Sequence, residues 1–539
     1  MDLMDTFEYT RLPLGNPEFS DIKTENMIYV DKTKLIAKIA RLRVPIFFSR
    51  PRRFGKSLLI NTLHSLFETG LKYFYGLEIE KIWNDTTYQV VHLDFSDFSD
   101  NSAIELKRSL NDTIISEFCV KGEISQYDQA GIRDPDRILS EIVKKSSNKT
   151  YVLLVDEYDA PLTHHINEPD ELQKITKILN NFYSTIKHYT GKFRFIFITG
   201  VTRVSHVSIF SAFNNLLDLS LDDEFNHLLG FTREDLEKYF DKFIENSAQV
   251  LGMSKDNIYF RLEQYYDGFQ FTCQSEKTLY NPWSILNFFM NAQKGFKNYW
   301  FKSGGTSSII MQYLKINDSF DFISYKDRSI FIDEEELTDT YEINNIPRHI
   351  LLYQAGYLTI RNIDGVYYLV LPNIEVEESL LQLYLKSNNL SPKSNLIEKM
   401  KKLSRDIDEK NILSIVELFN DILNECVSNL STIFKDERSI RDIIYAALLK
   451  IPSLQKIKER ESVKGKSDLE LVTSKTCMII EFKRTYQKRG PLASLNEAIK
   501  QIQCNRYGRL YSMSHTQYRV AMVISSEKKM ILPEFCKEV

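Results

Sequence analysis

Two short stretches of this 539-residue chain put charged residues where phosphate chemistry needs them. In the first, "RPRRFGKS" (50–57), Gly55, Lys56 and Ser57 follow the apolar run "VPIFFS" (44–49) and open the helical pattern "SLLINTLHSLF". A strand, a loop and a helix start in that order present backbone amides and a Lys ammonium to phosphate oxygens, with a serine hydroxyl available to Mg²⁺. The nucleotide-binding group expected here is Arg53, Phe54, Gly55, Lys56, Ser57 and Leu58, with Ser57 also a Mg²⁺ ligand. The usual G-x-x-x-x-G-K-[ST] spacing would place a glycine at position 50, where this chain has Arg50 and then Pro51. Proline fixes its own φ and drives the preceding residue toward extended conformations, so the loop must begin in an altered way.

A complementary acidic pair stands about 100 residues on, in "YVLLVDEYD" (151–159). After four apolar residues, Asp156 would hold Mg²⁺ through water and Glu157 would polarise the attacking water. Thr199, at the end of "FRFIFITG", adds a polar group where the next strand emerges, and Arg203 follows closely. No arginine finger can be assigned among Arg50, Arg52, Arg53 and Arg203. His164 and His165 read as loop histidines, and Trp283 and Trp300 as core anchors, since aromatics bury large areas.

The second stretch is "KGKSDLELVTSKTCMIIEFKRT" (464–485). Asp468 opens one strand, and Glu481 and Lys483 lie two apart on the next, so alternation puts that pair on one face. Two carboxylates and a lysine meeting across a hairpin suit metal-assisted phosphodiester cleavage. The acids and the Phe482 carbonyl would hold Mg²⁺, while Lys483 would orient water or offset phosphate charge. An acid-x-Lys triplet alone carries no weight, because "DIK" at 21 and "ELK" at 105 also have it. The hairpin and the basic surroundings supply the weight: residues 450–490 hold 11 Lys or Arg against 5 Asp or Glu. Lys464, Lys466, Arg484, Lys488 and Arg489 are the residues expected to contact nucleic-acid phosphates without reading sequence.

These residues need a scaffold of several domains, because 539 residues exceed one hydrophobic core. The runs 44–49, 88–96, 151–159 and 193–201 are β-branched and aromatic and alternate with helical patterns. They predict a doubly wound α/β core with a parallel sheet over residues 1–215. A helical region with a winged-helix-like module is expected over 216–385, where "IPRHILLYQAGYLTIRNIDGVYYLVLPN" reads as a helix, a strand, an Asp364-Gly365 turn and a second strand. Residues 386–430 read as a helical connector, and 431–539 as a second α/β domain.

A hydrophobic content of 43%, a charged content of 26%, 19 Gly and 14 Pro describe ordinary globular material. The net charge of -4 argues against a protein that coats nucleic acid over its whole surface. Six single cysteines without a C-x-x-C pair indicate neither a disulfide framework nor a zinc site, and a reduced cytoplasmic location is expected. The acidic start "MDLMDTFEYTRLPLG" and the lack of a run of about 18 apolar residues support neither secretion nor a membrane partner.

The segments "LPLGNPEFSDIKTENMIYVDKT" (12–33), "RPRRFGKSL", "LLVDEYDAPL", "FITGVTRVS", "YYDGFQF", "YNPWSILNF" and "LYQAGYLTI" together resemble the AAA-ATPase-like family. That family is often joined to a C-terminal PD-(D/E)XK nuclease-superfamily domain, and the likeness runs from about residue 12 to 510. Within it the loop itself reads R-P-R-R-F-G-K-S, so Arg50 is a family feature. The resemblance implies ATP and Mg²⁺ as cofactors and a restriction-endonuclease-like C-terminal fold. It adds Glu437 as the first acidic ligand and Gln501, in an A-x-x-Q-I pattern, on the following helix. A Q-x-x-x-Y motif of related nucleases is met instead by Gln503 and Tyr507, which leaves that helix register open. AAA-like modules often act as rings, so a homo-oligomer stays open as a partner state.

The leading expectation is an ATPase module that regulates a Mg²⁺-dependent phosphodiesterase acting on DNA. The alternative is a nucleotide-controlled switch or scaffold whose nuclease-like domain binds nucleic acid or protein without cleaving.

Overall fold

Four of the apolar runs fold into the strands that carry the first chemical group. The computed structural model describes residues 11–98, 102–118, 134–203, 216–275, 277–300, 310, 330–342, 345–387, 394–425, 437–448, 451, 454–462, 465–485, 490–505 and 515–539. The chain divides into two compact units near residues 379 and 380.

In the first unit, β1 (Ile46–Ser49), β2 (Gln89–Asp94), β3 (Tyr151–Asp156), β4 (Phe193–Gly200) and the short β5 (Leu217–Asp218) form an all-parallel sheet in the order β2-β3-β4-β1-β5. Every residue of β1, β3 and β4 is buried, whereas the edge strands are not fully covered. Continuous apolar runs therefore occupy the centre and mixed ones the edges, as a sheet covered on both faces requires. Helices supply the cover; in Pro169–His188 the buried Leu172, Ile175, Leu179, Phe182 and Ile186 recur at steps of three and four, one apolar stripe. β4 lies between β1 and β3, with Phe48 beside Thr199 and Val155 beside Ile198. The register brings the ends of the three strands into one row.

A helical region follows, opened by Arg233–Tyr239 with a reciprocal capping box: Asp235 N–H donates to Thr232 Oγ1 and Thr232 N–H to Asp235 Oδ2. Its core joins Phe240, Leu262, Tyr266 and Phe288. The helix Arg348–Gln354 then leads into β7 (Thr359–Ile363) and β8 (Val366–Val370), and β6 (Ile330–Phe331) completes a three-stranded antiparallel sheet. Asp364 and Gly365 take φ of 53° and 83°, the two left-handed residues that a tight hairpin turn demands.

Two knots hold this region together. Gly268 of "YYDGFQF" has φ of 93°, and a Cβ there would fall 2.2 Å from the Pro372 carbonyl oxygen. Both the strained dihedral and the overlap oppose any side chain, so Gly268→Ala should destabilise the first unit by roughly 3 kcal/mol or more, read by denaturant unfolding.

Glu375 is the second knot, buried, with Oε1 accepting from Tyr299 N–H (2.7 Å) and Trp300 N–H (2.9 Å) and Oε2 from Ser284 Oγ (2.6 Å). Burial outweighs these donors and pushes its carboxyl up to about 8. A raised carboxyl stabilises the fold while protonated, so stability is full below the ordinary range and falls as pH climbs towards 8, by up to roughly 1.4 kcal/mol per pH unit. Glu375→Gln keeps the acceptor for the two amides and can donate to Ser284. Its Tm relative to wild type should rise between pH 5 and 8 and level off above; a pH-independent difference would contradict this.

The second unit is a mixed sheet in the order β13-β12-β11-β10-β9, formed by β9 (Gln455–Ser462), β10 (Gly465–Val472), β11 (Thr476–Thr485), β12 (Thr516–Ser525) and β13 (Met530–Glu538). Only β11 and β12 pair in parallel. The helix Pro491–Asn505 packs Leu495, Ala498 and Ile502 against Val472, Cys477, Ile479, Ala521 and Val523. The helices Ser394–Asp408 and Ile412–Glu425 belong to the same unit: Asn420 exchanges hydrogen bonds with the Ile531 main chain, and Thr473 donates to Asp408. Among the described residues no helix is long and apolar enough to cross a membrane.

Candidate nucleotide site and nuclease-like hairpin

The loop 50–55 gains its shape from side chains rather than from a first glycine. Arg50 is buried between the rings of Phe48 and Phe271, 4.3 and 4.5 Å from their centroids, and donates to the carbonyls of Ser49 (2.9 Å) and Ser220 (2.7 Å). The Arg53 guanidinium lies over Trp283 at 4.3 Å, Phe54 sits edge-on to Phe269 and Phe271, and Trp300 Nε1 donates to the Arg52 carbonyl. A Cβ on Gly356 would strike Pro51 at 2.6 Å. Every residue of R-P-R-R-F thus has a fixed seat, and left-handed turns at Arg53 (φ 70°) and Gly55 (φ 101°) lead into the helix Lys56–Thr69.

Arg50 and Arg203 are internal struts. Arg203 donates to the Leu337 carbonyl (2.8 Å), pairs with Asp218 (2.6 Å) and gives its own N–H to Gln354 Oε1 (3.1 Å).

Lys56 is buried with Nζ donating to the carbonyls of Arg50 (3.1 Å) and Pro51 (3.4 Å) and lying 3.3 Å from Glu157 Oε1. Ser57 Oγ donates to Asp156 Oδ2 at 2.8 Å, so the two Mg²⁺ ligands expected from sequence already touch. Burial first, then the neighbouring Glu157, push the Asp156 carboxyl up to about 7. A bound cation would reverse that. Glu157 takes a left-handed φ of 47° and its N–H donates to Asp156 Oδ1 (2.9 Å).

Thr199 turns its hydroxyl to the Phe48 carbonyl at 2.6 Å and is buried, so it ties β4 to β1. Asp159 and Asp94 join this group without having been singled out in the sequence. Asp159 accepts from Val201 N–H (3.2 Å), Thr202 N–H (2.7 Å) and the Thr202 hydroxyl, which binds the turn after β4 to the turn after β3. A Cβ on Gly200 would meet Asp159 Oδ1 at 2.5 Å, so that packing admits only glycine. The third acid of "DEYD" was its only sequence trace. Asp94, beside Asp156 across β2 and β3, had none.

Gly55, Lys56, Ser57 and Glu157 open into a cleft of about 540 Å³ whose other walls include the apolar Ile28 and Phe231. Its volume lies within the range of small-molecule sites. The first turn of Lys56–Thr69 has no side-chain cap, and its leading amides have no intrahelical acceptor. The residues fit a nucleoside triphosphate: amides, a Lys ammonium and a Ser–Asp pair at one end, apolar walls at the other.

In the second unit Asp468 and Glu481 fall opposite each other on β10 and β11, one step from the Leu469–Ile480 pair. Lys483 Nζ lies 3.2 Å from Glu481 Oε1 and 3.7 Å from Glu437 Oε2. Glu437, in the first turn of the helix Glu437–Leu448, accepts from Arg484 N–H at 2.7 Å. Asp468 accepts from Phe482 N–H (2.7 Å) and faces Arg441 Nη1 at 3.7 Å, a buried arginine the sequence did not point to. Burial, then Asp468, push Glu481 up to about 8, and burial also raises Asp468. For Lys483 burial opposes the charge, but Glu481, Glu437 and Asp468 outweigh it and raise the ammonium.

The structure therefore gathers Glu437, Asp468, Glu481 and Lys483 at one place. Among the described residues, however, no three His, Cys, Asp or Glu side chains stand close enough together to hold a metal ion as placed. The carboxylates instead face Lys483, Arg441 and main-chain amides. Of the residues expected at phosphates, Arg484 follows Lys483 on β11 and is half-buried, and Lys466 lies on β10. Lys464, Lys488, Arg489 and Tyr507 lie outside the described residues. Gln501 is half-buried on its helix and Gln503 is exposed.

A parallel sheet with a Gly-Lys-Ser helix start on one strand and an acidic pair two strands away is the arrangement of a P-loop unit, and the mixed sheet is consistent with a nuclease-superfamily fold. Comparison with known families agrees: residues 13–210 match the AAA-ATPase-like family, described as a predicted AAA-ATPase, and residues 435–534 match a PD-(D/E)XK nuclease superfamily model. The chain carries both domains in that order. It is also 29% identical over 381 residues, 69% of each chain, to a protein described as "Uncharacterized protein in vnfD 5'region" from Azotobacter chroococcum mcd 1.

Proposed function

We propose that the first unit binds and hydrolyses ATP and thereby regulates a Mg²⁺-dependent phosphodiesterase of the second unit that acts on DNA. The observation that carries the reading is the pairing of Lys56 with Glu157 and of Ser57 with Asp156 beside the cleft that Lys56, Ser57 and Glu157 line. ATP supplies the phosphoanhydride, and Mg²⁺ supplies charge that offsets phosphate oxygens and lowers the pKa of bound water. Lys56 is held by two loop carbonyls, so its ammonium is presented to phosphates without reorganisation. Glu157, released from Lys56, would take the proton of the attacking water, and Ser57 and Asp156 would hold the cation. In the second unit Asp468, Glu481 and Glu437 would supply the acidic ligands once drawn away from Lys483, Arg441 and the main-chain amides, and Lys483 keeps a proton at Nζ to offset charge on the scissile phosphate. The singly spaced cysteines of the sequence, with no C-x-x-C pair, fit a cytoplasmic setting.

A second reading rests on the engaged state of the nuclease-site carboxylates: a nucleotide-controlled switch whose nuclease-like unit binds nucleic acid without cutting it. Incubating the full chain with supercoiled and linear DNA and Mg²⁺ separates the two. Nicking or linearisation supports the first, and a gel shift without any cleavage supports the second.

A further inference from the structure

At the C-terminal end of β1 a second void of about 20 Å³ is bordered by Ser49, Arg50, Arg203, Ser220 and Gln354. Its size admits one atom-sized occupant and excludes phosphate or a carboxylate. Arg50 and Arg203 are 2% and 8% exposed. Their terminal nitrogens are engaged, yet the Nε–H of each is buried and has no hydrogen-bond partner. Ser220 Oγ already accepts from Ser49 N–H (2.9 Å) and from the Ser49 hydroxyl (3.1 Å), which leaves its own proton to donate. The lining therefore offers three donors, while Gln354 Oε1 accepts from Arg203 N–H and keeps one lone pair.

Charge points the same way. Asp218 pairs with Arg203 and also acts on Arg50, so one carboxylate serves two buried guanidiniums, and all the hydrogen-bond acceptors of Arg50 are main-chain carbonyls: Ser49, Ser220, Phe225 and Asn226. Two buried cations that share one counter-ion are costly, and a buried donor without an acceptor adds to the cost. Water, with two lone pairs, would accept from two of the three donors and leave the third without an acceptor. An ion that only accepts and carries one negative charge meets every requirement.

We propose that this void binds a single halide-sized anion, chloride in the cell, which accepts from Arg50 Nε, Arg203 Nε and Ser220 Oγ and braces the start of the phosphate loop. The Arg50 carbonyl accepts from Lys56, so the anion site and the nucleotide site share one residue.

The test melts the full-length protein in sodium chloride and in sodium gluconate at matched ionic strength, and locates bromide by anomalous scattering in crystals grown in sodium bromide. A Tm that climbs with chloride and levels off a few degrees above the gluconate value is expected, with a bromide peak in the void. Arg203→Gln should lose the chloride increment. Should that variant fail to fold, Ser220→Ala, which removes one donor, should weaken the chloride midpoint about fivefold. Equal melting in both salts, a void filled by water in bromide crystals, or an undiminished chloride increment in Ser220→Ala and Arg203→Gln would overturn the proposal.

Discussion

Lys56→Ala should raise the Kd for ATP at least about 100-fold, measured by titration calorimetry on the full chain. Charge-assisted hydrogen bonds to a phosphate contribute roughly 1.5–3 kcal/mol, and a desolvated site enlarges that. The side chain is 4% exposed and already aimed by the Arg50 and Pro51 carbonyls, so little ordering cost offsets its contribution on binding. Removing it also strips Glu157 of its cation, which adds like charge beside Asp156 and the incoming phosphates. An intact circular dichroism spectrum with an unchanged Kd would contradict the placement of phosphates at Lys56.

Glu481→Gln should lower Mg²⁺-dependent DNA cleavage at least about 100-fold, because a metal ligand contributes several kcal/mol of transition-state charge stabilisation. Glu481 is 1% exposed and sits between Asp468 and Lys483, and its Oε2 has no hydrogen-bond partner. The amide is isosteric, so the fold should survive and the loss should trace to chemistry. Lys483→Met should fail comparably, with Mg²⁺ affinity less affected than turnover. Cleavage by Glu481→Gln at the wild-type rate would place the metal site elsewhere.

Much of the scaffold could be read from local pattern. The runs that became β1 to β4, the Asp364-Gly365 turn and the Thr232 helix start each carry their signal within a few residues. β9, "QKIKERES", could not be read that way: it has one apolar residue and owes its conformation to pairing with β10. β13 contains Pro533, which an edge strand tolerates because one side needs no donor. β5 is two residues long and exists by its register with β1.

The same divide runs through the sites. Gly55, Lys56, Ser57, Asp156 and Glu157 could be found because sequence neighbours do their work together. Arg50 showed only that a glycine was missing; its partners lie some 170 residues away, at Ser220 and Asn226. Asp159, Asp94 and Arg441 act across strands or from a helix onto a strand, and no spacing marks them. Thr199 shows the limit of position alone, since its hydroxyl goes to β1 rather than into the cleft in this structure.

The central claim is that nucleotide held at Lys56 controls cleavage at Glu481. The most direct measurement is the rate of supercoiled-plasmid cleavage in Mg²⁺ as ATP is titrated, for the wild type and for Lys56→Ala. The account predicts a wild-type rate that changes with ATP and saturates, and a Lys56→Ala rate that ignores ATP over the same range. Identical ATP responses in the two proteins, or no cleavage by the wild type at any ATP concentration, would contradict it.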